Sequence, residues 1–292
     1  MQRDSLHRFV FENTPIRGNS VHLNVTLESA LQYHEYPPQL RVILGELMVA
    51  SALLSATLKM EGALILQIQG KGALKLLVVE CTAEAEMKLS MRATAKWQGE
   101  LPIDPKAAIG DGHCVITLAP NNAEQYQGIV PLDGNSIAQI LEHYMLRSQQ
   151  IDTRLWLACD GKSASGMLLQ KLPDQPEYDA DAWNRICILA DTVTNEELQA
   201  LDPAQLLTRL FGEEDVRMFS AKPTQFFCSC TRTKVANMLL LLGKEEVASI
   251  LTERDEVEVH CDFCNKRYAF DAVDTAALFA HEPVAPTSKA KH

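Results

Sequence analysis

Leu64-Ile65-Leu66-Gln67-Ile68, Ala73-Leu74-Lys75-Leu76-Leu77-Val78-Val79 and Met87-Lys88-Leu89-Ser90-Met91-Arg92-Ala93 are three β-prone runs, the first two joined by the turn Gly70-Lys71-Gly72. The third alternates apolar Met87, Leu89 and Met91 with polar Lys88, Ser90 and Arg92. A period of two marks a strand with one covered face, and the polar set is expected to be wet. Upstream, Leu40, Ile43, Leu44, Leu47, Met48, Leu54 and Leu58 follow helical spacing, which predicts a buried helix over Pro38 to Met60. Arg41 and Glu46 interrupt that apolar stretch, so it reads as a core helix rather than a membrane span. Downstream, further strands are predicted at His113 to Ala119, Arg154 to Cys159 and Gly166 to Leu172. Ser136 with Gln139 forms a capping box that starts a helix over Ile137 to Gln149. A meander mixed with segregated helices is an α+β arrangement, and it is assigned to an N-terminal domain over residues 1–176.

The chain has 292 residues, 47% hydrophobic and 22% charged, a composition that supports a packed core with an appended module. Its net charge of -11 leaves no basic face with which to neutralise phosphates, which argues against nucleic-acid binding. Met1-Gln2-Arg3-Asp4-Ser5-Leu6-His7 lacks the apolar run of a secretory signal, so a cytoplasmic location is expected.

Residues 177–227 differ in character. They hold ten acidic residues against four basic ones, so -6 of the total charge lies in about a sixth of the chain. Helix starts are nevertheless well marked: Thr194 with Glu197 is a capping box, and Asp202-Pro203 with Gln205 supplies a cap, a proline at the first helical position and a reciprocal acceptor. Short helices persist only when docked on a neighbour, and excess negative charge opposes docking. A conditionally folded helical linker is the expectation.

Cys228-Ser229-Cys230 and Cys261-Asp262-Phe263-Cys264 carry the chemistry, with thirty residues between the pairs. Four thiolates from two tight turns can close a tetrahedral zinc site. The same closeness lets each pair oxidise to a local disulfide, although one intervening residue strains the first loop. Zinc-held thiolates are already in the form that oxidants attack. Thr233 to Leu242 and Glu245 to Leu251 are predicted helices of this module, residues 228–280. Val257-Glu258-Val259 with Tyr268-Ala269-Phe270 is predicted as a hairpin bearing Cys261 and Cys264 at its turn. Residues 281–292, rich in Pro, Ala, Ser and Lys, form an expected disordered tail.

Other candidates are weaker. Cys81, Cys114, Cys159 and Cys187 sit in apolar runs and read as small core hydrophobes. Gly70-Lys71-Gly72 and Gly110-Asp111-Gly112 are too short for phosphate loops and fit turns. Glu142-His143 and His113-Cys114 lack a third orienting group for catalysis, so no enzyme is expected. His260 could replace a ligand, but four cysteines complete the sphere; Asn24-Val25-Thr26 matches a glycosylation acceptor that has no meaning in the cytosol. A zinc ribbon that binds nucleic acid is the alternative function. Between Cys228 and Phe270, however, six basic residues face seven acidic ones, and a four-thiolate zinc centre adds a further formal -2.

The whole chain resembles the redox-regulated heat shock protein 33 family of bacterial cytosolic holdase chaperones. Phe227-Cys228-Ser229-Cys230 through His260-Cys261-Asp262-Phe263-Cys264 is similar to the family's zinc motif. Leu44-Gly45-Glu46, Gln67-Ile68-Gln69-Gly70-Lys71-Gly72, Tyr126-Gln127-Gly128-Ile129-Val130-Pro131 and Ser148-Gln149-Gln150 are similar to its recurrent segments. The resemblance implies one Zn2+ per reduced chain on Cys228, Cys230, Cys261 and Cys264. It implies that hypochlorite, or peroxide with heat, oxidises these to disulfides Cys228 with Cys230 and Cys261 with Cys264, releasing zinc and unfolding the linker. It further implies an ATP-independent holdase that dimerises when oxidised, binds unfolding clients on uncovered apolar surface, and later passes them to ATP-driven foldases.

Overall fold

The computed structural model describes residues 4–58, 61–84, 88–173, 179 and 181–280. In a first unit, Met1–Phe227, strands β1 (Ser5–Phe11) and β2 (Ile16–Leu23) precede helices α1 (Val25–Leu31) and α2 (Pro38–Ser55). The meander follows as β3 (Gly62–Gly70), β4 (Leu74–Glu84) and β5 (Lys88–Trp97), then the short α3 (Pro105–Ile109), strands β6 (Gly112–Pro120) and β7 (Tyr126–Pro131), and helix α4 (Ile137–Gln149). A hairpin of β8 (Thr153–Cys159) and β9 (Ala164–Lys171) leads to the acidic segment. That segment forms α5 (Ala182–Ala190), α6 (Asn195–Ala200), α7 (Pro203–Phe211), and strands β10 (Val216–Met218) and β11 (Lys222–Phe226). The second unit, Cys228–His292, holds α8 (Arg232–Leu242), α9 (Lys244–Glu253), the hairpin β12 (Glu256–His260) and β13 (Arg267–Asp271), and α10 (Ala272–Ala280). The mixed sheet with packed helices is the α+β arrangement expected. Predicted residues Met60, Met87, the start of the acidic segment at Glu177 and the tail 281–292 lie outside the described residues.

One sheet runs through the first unit in the order β7-β6-β3-β4-β5-β11-β1-β2-β9-β8, with β10 beside β1. Its two halves are antiparallel, and β11 joins them: it runs parallel to β5, setting Thr224 against Leu89, and antiparallel to β1, setting Leu6 against Lys222. Helix α2 crosses one face, touching strands of both halves. Leu40, Leu44, Leu47 and Met48 are fully buried there among Leu64, Leu66, Val79 and Leu168. This is the one helix among the described residues long and apolar enough to cross a membrane, but 72% of its length is buried in the fold, as in a core helix. Close approach at α2 explains one of the segments shared with the family: a Cβ at Gly45 would lie 2.4 Å from Cys159 Sγ. Burial also pushes the carboxyl of Glu46 in that segment up to about 7.

The other face of the β1-β2-β9-β8 half is covered by the acidic segment. Phe9, Phe11, Ile16, Met167 and Leu169 pack against Ile186, Leu198, Leu206, Leu210 and Phe211. Phe11 and Phe211 meet edge to face with centroids 4.9 Å apart. Strand β9 is therefore buried on both faces from Ala164 to Gln170. Both predicted capping arrangements of the segment are present, at Thr194/Glu197 and Asp202/Gln205. Its charges are partly paired: Arg185 bonds Asp179 and Glu214, Arg209 bonds Glu197, and Asp191 accepts from Arg154 and from Trp156 Nε1.

Two local expectations are corrected. The polar face of β5 is not wet: Ser90 and Thr94 are buried and Arg92 is half-buried. Because β11 pairs with β5, that strand lies inside the sheet and its polar groups are satisfied across strands, Ser90 Oγ accepting from Gln225 Nε2 and Arg92 bonding Glu80 at 2.6 Å. At α4, Ser136 caps Gln139 N, but Gln139 Oε1 accepts from Asn135 N rather than completing the box.

Candidate metal centre

In the second unit the two cysteine turns are built by different local devices. Cys228 and Cys230 precede α8, whose first turn is fixed by Thr231 Oγ1 accepting from Lys234 N. Cys261 and Cys264 occupy the β12–β13 turn, where Asn265 N donates to Cys261 O at 2.8 Å and Cys261 N to Lys266 O at 3.0 Å. Asn265 takes φ 53°, the left-handed conformation that asparagine tolerates and that reverses the chain.

These turns bring all four Sγ atoms within 4.8 Å of one another. Two short contacts run between the turns, Cys228 to Cys261 at 3.6 Å and Cys230 to Cys264 at 3.4 Å. Ligands about 2.3 Å from a tetrahedral ion stand about 3.8 Å apart, so the spacing fits one four-coordinate metal ion. The packed core around them is small: Leu239, Val247, Val257, Tyr268 and Phe270. A core of five buried side chains is too little to hold such a unit alone, which is where a metal contributes most.

The sulfurs are electrostatically unequal without a metal. Burial raises the Cys230 thiol, but hydrogen bonds from Tyr268 and the neighbouring sulfurs outweigh it and bring it down to about 7. Burial raises Cys228 and Cys264, the latter further because its neighbours compete for the same negative charge. Tyr268 Oη donates to Cys230 Sγ at 3.2 Å, and that bond is the main reason its phenol is pushed up to about 12. His260 takes no part: its Nε2 bonds Glu258.

The Hsp33 protein family model matches residues 4–271. The chain belongs to the Hsp33 family. It is 58% identical over 293 residues to the 33 kDa chaperonin of Methylobacillus flagellatus, covering 99% of each chain, and 46% identical to that of Chromobacterium violaceum over 99% of this chain and 98% of the relative. The crystal structure of the 33 kDa chaperonin, an Hsp33 homologue, from Thermotoga maritima shares the fold with a TM-score of 0.81 at 24% identity, over 95% of this chain and 98% of that one. Hsp33 membership assigns the chain to a chaperone family.

The remaining candidates have structural places in this Hsp33 chain. Cys81, Cys114 and Cys187 are buried, and burial pushes their thiols up to about 12, 12 and 11. Cys159 is half-buried, its thiol likewise raised by burial, with Sγ accepting from Gly161 N. Such thiols are poor nucleophiles. Glu142 accepts from Leu155 N at 2.7 Å, and His143 Nδ1 donates to the Asp133 carbonyl at 2.6 Å, so that pair ties α4 to its surroundings. His113 and Cys114 are consecutive in a strand and face opposite sides. In Asn24-Val25-Thr26, Thr26 is buried and its hydroxyl meets that of Thr224. The Gly70-Lys71-Gly72 turn abuts α3: a Cβ at Gly72 would lie 2.4 Å from Ala108 O. Sequence reading missed Tyr268 as a partner of the sulfurs, because nothing in its position distinguishes it from an ordinary hairpin aromatic. It also missed the apolar face of β1, whose signal was the alternation of Phe9 and Phe11.

Proposed function

We propose that this chain is a redox-regulated, ATP-independent holdase of the cytoplasm, inactive while Cys228, Cys230, Cys261 and Cys264 hold one zinc ion. The observation that carries this reading is the covered apolar face: Phe9, Phe11, Ile16, Met167 and Leu169 lie beneath helices of the acidic segment, and the first cysteine turn follows that segment directly in sequence. A bound zinc would keep all four sulfurs deprotonated and cross-link the two turns. Oxidation of Cys228 with Cys230 and of Cys261 with Cys264 passes two electrons from each pair to hypochlorite or peroxide, forms two S–S bonds and leaves no thiolate to hold a metal. Pairing within each turn, rather than along the short contacts between turns, frees the turns from each other. The second unit, with its small core, then loses its main source of stability, and the linker, residues 177–227, undocks. Its release uncovers the sheet face as a surface for unfolding clients. The oxidised chain dimerises and later hands clients to ATP-dependent foldases.

Oxidised protein is expected to suppress aggregation of a heat-unfolded client without ATP, and reduced protein is not. Light scattering of the client at equal chaperone concentrations measures both. Salt-sensitive RNA or DNA binding by the reduced form, with no effect on the client in either state, would instead support a zinc ribbon that binds nucleic acid. Removing the Tyr268 hydroxyl takes a donor from Cys230 while leaving the ring in the core. Tyr268→Phe is expected to weaken zinc binding about tenfold, as loss of an outer hydrogen bond to a ligand does. Competition with a chromophoric chelator measures it, and unchanged affinity would show that the hydroxyl does not act on the site.

A further inference from the structure

A cavity of about 540 Å³ opens in the first unit between β1, β2, the end of α2 and the Phe219 to Lys222 stretch that leads into β11. Its walls divide by chemistry. Among the described residues, Leu6, Leu58 and Leu89 line an apolar side, whereas Arg8, Arg17 and Lys222 bring three cations to it against one carboxylate, Glu61. Arg8 lies 5.9 Å from the Phe219 ring centroid. Arg17 is half-buried, as is Lys222, and the bonds of Arg17 all go to neutral acceptors. Nε and Nη2 reach Gln170 Oε1 at 3.1 and 2.7 Å, and Nη2 also reaches the Thr57 carbonyl at 3.4 Å. Among the described residues no hydrogen bond uses Nη1 and no carboxylate pairs with this guanidinium. Burial disfavours its charge accordingly. A guanidinium withdrawn from water without a counter-charge is costly, and its planar fork is shaped for a carboxylate.

We propose that this cavity binds a small aliphatic carboxylate, with the head on the free edge of Arg17 and the chain along Leu6, Leu58 and Leu89. A monoanion with an apolar body matches both walls, whereas a neutral alcohol satisfies one and leaves Arg17 as it is. Arg17 belongs to β2, while Phe219 and Lys222 belong to the C-terminal end of the acidic segment, where it enters the sheet as β11, so both line the cavity. On the holdase reading, on which this consequence alone rests, an occupied cavity opposes release of the segment and slows activation.

The test uses reduced full-length protein with decanoate as the probe and 1-decanol as its neutral counterpart, by calorimetry. Saturable binding of one decanoate per chain is expected, with decanol at least tenfold weaker, the effect of losing one charge-assisted contact. Arg17→Met keeps the apolar stem and is expected to weaken decanoate at least tenfold while leaving decanol unchanged. Leu58→Trp, which fills the cavity from a half-buried position, is expected to abolish binding of both, and it keeps the test decisive if Arg17→Met does not fold. Absence of saturable decanoate binding, equal affinity for decanol, or unchanged affinity in both variants would overturn the proposal. These measurements involve no client and no oxidant, so failure of the holdase reading leaves them interpretable.

Discussion

If the four cysteines hold one zinc as proposed, Cys261→Ser is expected to lose most of it, and with it the fold of the second unit. Three sulfurs and a water hold zinc less tightly than four thiolates. The metal contribution in a small module is on the order of 10 kcal/mol, comparable to the stability of a whole domain. Against this, among the described residues the second unit offers a core of five buried side chains and a two-stranded hairpin, which is marginal by itself. The effect should therefore spread beyond the turn. Metal analysis should show substoichiometric zinc, and hydrogen exchange should show lost protection across α8, α9 and the β12–β13 hairpin while the first unit keeps its protection. Full zinc occupancy in the variant would remove the four-cysteine site from consideration. Retained zinc-free protection of the second unit would show instead that its apolar core suffices.

Leu206→Asp is expected to undock the acidic segment without oxidation. Leu206 is fully buried in the cluster that holds α5, α6 and α7 on the sheet. A carboxylate there is an uncompensated charge among Phe9, Ile186 and Phe211, a loss of about 3–5 kcal/mol. Helices of six to nine residues have no independent stability to absorb that loss. New proteolytic sites should open within residues 181–227, and client binding should arise in reduced, zinc-loaded protein. Thr208→Asp adds the same charge on the exposed side of the same helix and should do neither. Linker amides as protected in Leu206→Asp as in the unaltered chain would separate docking from client binding. Zinc retention in this variant is part of the expectation, since none of the four ligands is altered.

Local chemistry was largely legible. Cap residues fixed the starts of α4, α6 and α7, because a side-chain oxygen three residues from its backbone donor is a contact within one turn. The β12–β13 hairpin and the clustering of Cys261 with Cys264 followed from spacing for the same reason. The conditional character of the acidic segment was read from its short helices and its charge, whereas in the fold Arg185, Arg209 and Arg154 offset part of that charge, each reaching a partner at least six residues away. Strand β5 shows the limit most clearly. Its alternation was correct as a pattern, yet its polar side is covered, since whether a strand lies inside or at the edge of a sheet depends on its neighbours.

The sequence by itself determined the cysteine pairs, the helices that begin at good caps, and the apolar runs available for a core, all set by residues within a few positions of one another. Only the tertiary structure decided that β11 joins the two halves of the sheet, since Thr224 meets Leu89 across 135 positions and nothing in either stretch names the other. The same holds for the helices over Phe9, Phe11 and Met167, and for Tyr268 aimed at Cys230. Hydrophobic burial rewards any apolar partner about equally, so which surfaces meet is settled by chain connectivity and packing of the whole unit rather than by local pattern.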